Sequence, residues 1–331
     1  MTIGVIGAGA WGTALAQVLA SDGSDVTIWA REPELVREIN AQHTNSLYLP
    51  SAALSAKIVA TASLGDFAAI RTVLAVVPAQ FLSGVLAELP HGGGRDLVLC
   101  AKGIEASTGR LMAEVAVQAA PDARLAVLSG PTFAHEVADG LPTAVTLACS
   151  GGEAQWDRLA GQIARAAFRP YYSDDIVGAE IGGAVKNVLA IACGVVDGLG
   201  LGQNARAALI ARGYAEMLRF GSARGARPET LAGLCGLGDL VLTCSSTSSR
   251  NFSLGKALGE GQSAQEALSG KSSVAEGAAT APVLAKLAEE ARIDMPIVDA
   301  VRRLLAGEAP ARKVVDDLLS RPLRSEQERD G

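Results

Sequence analysis

The sequence predicts an α/β fold for the first half of the chain and an all-α fold for the second. Short β-branched and apolar runs alternate with helical patterns up to about residue 174, and the first run leads straight into a glycine-rich turn. From Ile176 onward, Ala/Leu/Gly-rich segments repeat with a 3.6-residue period and no clear strand. Taken in order, residues 2–6 (TIGVI) form a strand and residues 11–20 a helix. Residues 25–29 (DVTIW), 72–77 (TVLAVV), 96–101 (DLVLCA) and 124–129 (RLAVLS) follow as strands. Continuously apolar strands separated by helices predict a parallel sheet covered on both faces. Residues 143–148 (TAVTLA) and 169–173 (RPYYS) extend it. The division falls at residues 1–175 for the sheet domain and 176–320 for the helical domain. The charged, turn-rich residues 321–331 read as a flexible tail.

The net charge of −6 speaks against nucleic acid or an anionic membrane as the main partner. Hydrophobic residues make up 49% and aromatics only 4%, so the cores must be built from Ala, Val, Leu and Ile. The 37 glycines follow no collagen-like period and suit close backbone approach. Five scattered cysteines without a C-x-x-C pair read as free thiols of a reducing cytosol. Three dispersed histidines offer no metal site. The first 30 residues hold no Lys or Arg, so no signal peptide is expected. No purely apolar run reaches about 18 residues, so no membrane span is expected, and the chain reads as soluble and cytoplasmic.

Gly7-Ala-Gly9-Ala-Trp-Gly12 stands directly between the first strand and the first helix. A bare G-x-G-x-x-G is a weak signal, but this placement makes it the mark of a Rossmann-type dinucleotide-binding domain. Gly7 permits the tight turn, Gly9 lets the backbone approach a pyrophosphate, and Gly12 lets helix and strand pack closely. The helix N-terminus then offers free N–H groups and partial positive charge to the phosphates. The bland alternative, a glycine-rich turn used only for packing, weighs well below this. The second strand runs into Arg31 and then Glu32. Arginine there accommodates a 2′-phosphate and an acidic residue takes the ribose hydroxyl, so NADP(H) is preferred and NAD(H) stays open.

In the second half, residues 180–193 are apolar nearly all round yet carry Lys186 and Asn187 at their centre. A helix of this pattern is buried, and a buried ammonium is costly unless it is paired or functional. Gly182, Gly183 and Ala184 beside it suit close approach of another chain or a ligand, which weighs against Lys186 snorkelling to the surface. Asp239, on a Gly-rich segment before an apolar run, is a partner for such a cation. The cluster Ser245-Ser-Thr-Ser-Ser249-Arg250-Asn251 offers hydroxyls, a guanidinium fork and an amide, a set suited to phosphate. A helix N-cap with a solvated helix start is the default reading of that cluster taken alone.

The blocks GAGAWGTALA, LAVLSGPTFAHEVADGLPTA, AEIGGAVKNVLAIACGVVDGLGLGQNARAALIARG, LGDLVLTCSSTSSRN and VAEG follow one another between residue 3 and about residue 320. Together they resemble the bacterial type of the NAD(P)-dependent glycerol-3-phosphate dehydrogenase family. The later blocks are far more specific than the glycine turn. The resemblance implies that Lys186 is the proton acceptor for the substrate hydroxyl and that Lys102 touches both substrate and cofactor. It implies substrate contacts at Gly130, Thr132, Asp239, Ser249, Arg250 and Asn251. It implies cofactor contacts at Ala10, Trp11, Arg31, Ala134, Arg250, Val274 and Glu276, and no metal. Ala10 stands where many members have Ser, and Cys235 where Ala is usual. The implied activity is hydride transfer between NAD(P)H and dihydroxyacetone phosphate, giving sn-glycerol 3-phosphate for phospholipid synthesis, in an enzyme expected to be a homodimer.

Two rivals have less support. A β-hydroxyacid dehydrogenase would share the buried helix lysine but would not need the Ser-Arg-Asn cluster. A non-catalytic NADP(H) sensor would keep Gly7, Gly9 and Gly12 but not Lys186 and Asp239.

Overall fold

The computed structural model describes residues 2–269 and 275–322. Val274 and most of the predicted tail lie outside the described residues. Eight strands form one sheet in the order β3-β2-β1-β4-β5-β6-β7-β8. They are β1 (Ile3–Ile6), β2 (Val26–Trp29), β3 (Ile58–Thr61), β4 (Thr72–Ala75), β5 (Asp96–Leu99), β6 (Arg124–Ser129), β7 (Thr143–Cys149) and β8 (Phe168–Ser173). Helices α1 (Ala10–Ala20), α2 (Pro33–Gln42), α3 (Leu82–Glu88), α4 (Met112–Ala119), α5 (Ala134–Ala138) and α6 (Gly152–Ile163) connect them. Strands β1, β4 and β5 are buried along their whole length, as continuous apolar runs require. Two apolar cores, built mainly from Ala, Val, Leu and Ile, occupy the sheet domain. The order reverses between β1 and β4, and the crevice outside the carboxyl ends of such strands is where doubly wound sheets bind ligands.

The sheet departs from expectation in two places. Strand β3, the four residues IVAT, is too short and plain to announce itself. Strand β7 runs antiparallel to β6, with Ser129 opposite Thr146. The helix between them, α5, has five residues and rises about 7.5 Å, too little to carry the chain back along a six-residue strand of about 20 Å. The chain therefore returns beside β6 in the opposite direction.

Among the described residues every regular element after Ser173 is helical: α7 (Ile176–Gly198), α8 (Gly202–Ala223), α9 (Pro228–Ala232), a π-helical turn (Leu234–Gly238), α10 (Asp239–Thr243), α11 (Arg250–Gly259), α12 (Ala264–Leu268), α13 (Glu276–Glu290), α14 (Pro296–Leu305) and α15 (Ala311–Leu319). The Asp175 side chain accepts the Gly178 N–H at 2.8 Å and caps α7. Every residue from Gly178 to Val196 is buried. Among the described residues, α7 is the one helix long and apolar enough to cross a membrane, yet here it is the core around which the other helices pack. Its contact with α11 is backbone to backbone. A Cβ at Gly194 would stand 2.0 Å from the Phe252 carbonyl oxygen, and one at Gly255 1.9 Å from that of Ile191. All five cysteines are buried and free.

Candidate active site

The glycine turn has the geometry a pyrophosphate needs. Gly7 has φ +113°, which a side chain tolerates poorly, and a Cβ there would press on the Val76 backbone at 3.0 Å. A Cβ at Gly12 would stand 1.8 Å from the Gly7 carbonyl oxygen, so only glycine lets α1 start so close to β1. At Gly9 a Cβ would meet no protein atom within 4 Å, so packing does not dictate glycine there. Gly9 caps α1 without a side chain, and the N–H groups of Ala10, Trp11 and Gly12 have no intrahelical partner. A cradle of free amides beside an open glycine fits a dinucleotide diphosphate. Trp11 is half-buried at the start of α1. Arg31, at the end of β2, is exposed and pairs with Glu32 at 3.0 Å.

Two further segments end on the same edge of the sheet. Lys102, just past β5, is largely buried, and its Nζ donates to the Gly130 carbonyl at 3.0 Å. The Thr132 hydroxyl donates to the same carbonyl at 3.3 Å, and Ala134 opens α5. Helix α7 closes over them. A Cβ at Gly183 would be 3.1 Å from both the Lys102 stem and Ser129 Oγ, so glycine lets the helix settle on the lysine.

Lys186 does not snorkel. It is 6% exposed, in the middle of α7, and its Nζ donates to Asp239 Oδ1 at 2.7 Å and to Thr243 Oγ1 at 2.9 Å. The other Asp239 oxygen, Oδ2, accepts from Lys102 Nζ at 2.7 Å. One fully buried carboxylate thus joins two ammonium groups, one from the sheet domain and one from the helical domain. Burial pushes the Lys186 ammonium down to about 8, against the pull of Asp239 and with the help of the Lys102 charge. For Asp239, burial pushes up, but the charges and hydrogen bonds of Lys102 and Lys186 outweigh it and hold the carboxyl below its ordinary value.

The predicted phosphate cluster opens α11. Ser249 is buried and accepts the Phe252 N–H at 3.2 Å, which is the N-cap role that is its default reading. Arg250, the first residue of α11, is exposed and has no hydrogen bond or ion pair among the described residues. Asn251 is more committed than the sequence suggests. Its Nδ2 donates to Asn187 Oδ1 at 3.0 Å and its Oδ1 accepts the Gly277 N–H at 3.0 Å, leaving one amide hydrogen. Asn187 in turn donates to the Lys102 carbonyl at 3.2 Å. Glu276 accepts the Ala79 N–H at 3.1 Å, tying α13 to the turn after β4. Burial pushes its carboxyl up, against that hydrogen bond and the charges of Arg250, Lys102 and Lys186.

The structure therefore gathers Lys102, Gly130, Thr132, Lys186 and Asp239 into one cluster, and Asn187 links it to Asn251. Arg31 lies apart, at the end of β2. Sequence reasoning missed Thr243, which stands one helical turn from Asp239 and so faces the same lysine. Its i, i+4 spacing was the available signal.

A mostly parallel sheet with a reversed strand order and a free-amide turn at its carboxyl edge, closed by a helix whose buried lysine pairs with an aspartate of another helix, defines a dinucleotide-dependent oxidoreductase. The chain matches the NAD-dependent glycerol-3-phosphate dehydrogenase N-terminus family over residues 2–155 and the corresponding C-terminus family over residues 175–316. It is 70% identical over 328 residues to the glycerol-3-phosphate dehydrogenase (NAD(P)+) of Erythrobacter litoralis, covering 99% of this chain and 98% of that one. It is 70% identical over 324 residues to that of Novosphingobium aromaticivorans, covering 98% of each. The crystal structure of glycerol-3-phosphate dehydrogenase from Coxiella burnetii superposes with a TM-score of 0.91 at 39% identity, covering 97% of this chain and 99% of that one. The protein belongs to the NAD-dependent glycerol-3-phosphate dehydrogenase family.

Proposed function

We propose that this protein interconverts dihydroxyacetone phosphate and sn-glycerol 3-phosphate with NADP(H) as its preferred cofactor, in the cytoplasm and as a homodimer, supplying phospholipid synthesis. Residues 1–175 hold the cofactor and residues 176–320 supply the acid–base group and the phosphate site. The observation that carries the reading is the Lys102–Asp239–Lys186 cluster. Each ammonium has three hydrogens and spends two inside the protein, so each keeps one donor for a ligand. Two cations on one carboxylate leave a net positive charge for an anionic substrate.

A bound nicotinamide supplies the hydride. Reduction of the ketone puts negative charge on its oxygen, and Lys186 delivers the proton there; in reverse, its neutral amine removes the hydroxyl proton. Lys102 lends its remaining N–H to the bound substrate and cofactor. Arg250 and the backbone N–H groups that open α11 hold the phosphate, with binding energy remote from the reacting carbon. Arg31 takes the 2′-phosphate, and Ala10, Trp11, Ala134 and Glu276 complete the cofactor contacts.

The test is absorbance at 340 nm with purified protein, NADPH and dihydroxyacetone phosphate. Turnover is expected, with unphosphorylated dihydroxyacetone a very poor substrate. Lys186→Ala is expected to lower kcat at least ~100-fold with little change in NADPH binding. Equal rates on both ketones, or near-normal turnover by the folded variant, would overturn the assignment.

A further inference from the structure

Asn45 lies in the irregular segment between α2 and β3 and is 0% exposed. Its Nδ2 donates one hydrogen to the Ala8 carbonyl at 2.9 Å and the other to Thr13 Oγ1 at 2.8 Å. The Thr13 hydroxyl donates to the same Ala8 carbonyl at 3.2 Å. Asn45 Oδ1 accepts the Tyr48 N–H at 3.0 Å, so both of its polar atoms are engaged. Ala8 is the residue between Gly7 and Gly9. In a trans peptide the carbonyl and the following N–H point in opposite directions. Two donors that draw the Ala8 carbonyl inward therefore turn the Gly9 N–H away from the Asn45–Thr13 side. Tyr48, whose N–H Asn45 holds, packs partly buried against the core of the sheet domain.

We propose that Asn45 is a positioning residue for the dinucleotide, setting the Ala8–Gly9 peptide toward the diphosphate. The proposal rests on the reading of the Gly7–Gly12 turn as the cofactor site. It differs from a purely structural role for a buried asparagine. A structural role would lower stability without separating cofactor from substrate, whereas a positioning role acts on the cofactor.

The experiment measures NADPH and NADH dissociation constants by fluorescence titration, with kcat and the KM for dihydroxyacetone phosphate, in the full chain. Asn45→Ala is expected to weaken both cofactors ~10-fold or more, with kcat at saturating cofactor within about 3-fold of wild type and the substrate KM within about 2-fold. Asn45→Asp keeps the size and the acceptor for Tyr48 but turns a carboxylate on the Ala8 carbonyl. Its binding defect relative to wild type is expected to shrink as pH falls and the buried acid takes up a proton. Should Asn45→Ala fail to fold, Asn45→Asp and Thr13→Val carry the test, the latter removing one donor to Ala8 with the shape kept. Gly9→Ala separates the two layers of argument, since it fits the fold but intrudes on the diphosphate. If Gly9→Ala binds NADPH as wild type does, the turn is not the cofactor site and the inference falls with it. If Gly9→Ala weakens NADPH but the Asn45 and Thr13 variants do not, or if they harm kcat and the substrate KM equally, the positioning role is overturned.

Discussion

Opposing effects act on the Lys186 ammonium, and their balance sets how it works. Burial lowers its affinity for a proton, Asp239 raises it and Lys102 lowers it, and the outcome is about 8 in place of 10.5. A proton that leaves near pH 8 makes Lys186 an acid at neutral pH and a base slightly above it. The kcat/KM for ketone reduction, which reports the free enzyme, is therefore expected to fall as pH rises through about 8. That for glycerol 3-phosphate oxidation is expected to rise through the same value. Profiles of both directions flat from pH 7 to about 9.5 would remove Lys186 from the proton transfer. The pairing of Lys186 with Asp239 was legible in the sequence because an apolar helix bearing one lysine needs a counter-charge. The direction of the shift was not, since it depends on depth of burial and on Lys102, which comes from another element. Asn45 was hidden for a different reason: a single polar residue in an irregular segment carries no periodic signal.

At the scale of elements, the packing of α7 against α11 decides where the phosphate cluster stands. Gly255 faces the Ile191 carbonyl, and the 1.9 Å that a Cβ would leave is not absorbed by a side-chain rotation, because the obstacle is backbone. Gly255→Ala is expected to cost about 1–3 kcal/mol in urea unfolding and to raise the KM for dihydroxyacetone phosphate by moving Ser249 and Arg250. Gly84→Ala on α3, where a Cβ would meet nothing within 4 Å, is the matched control and is expected to stabilise by about 0.5–1 kcal/mol. A neutral Gly255→Ala would show that the two helices separate freely. The small residues around Lys186 signalled a close approach in the sequence, but not its partner, because i, i+4 glycines on two helices name no pairing. Seven of the eight strands were legible from short β-branched or apolar runs that led into helical patterns or turns. Strand β3 has four residues and little contrast, and the reversal of β7 follows from the length of α5, which no strand pattern encodes.

For the molecule as a whole, Asp239 is the electrostatic joint between the sheet domain, through Lys102, and the helical domain, through Lys186. Its carboxyl is held below 3.8, so its contribution to stability is present above that value and is lost only as pH falls through the lowered one. Asn has nearly the same shape as Asp, so Asp239→Asn isolates the charge. It leaves two ammonium groups buried together, and removing one partner of a buried ion pair typically costs about 3–5 kcal/mol. That cost has a pH signature. Lys186 is lowered to about 8 even with Asp239 present, and without that carboxylate it must fall further. A group whose folded value lies below its unfolded one penalises folding fully below the folded value, and the penalty declines as pH rises from the folded value to the unfolded one. The variant therefore gains its relief at a lower pH than the wild type does. Urea unfolding is expected to show the full Asp239→Asn deficit at pH 6 and a clearly smaller one at pH 9. A deficit of the same size at both pH values would mean that the variant fails through packing or lost hydrogen bonds, and that the two domains are not held together by this charge.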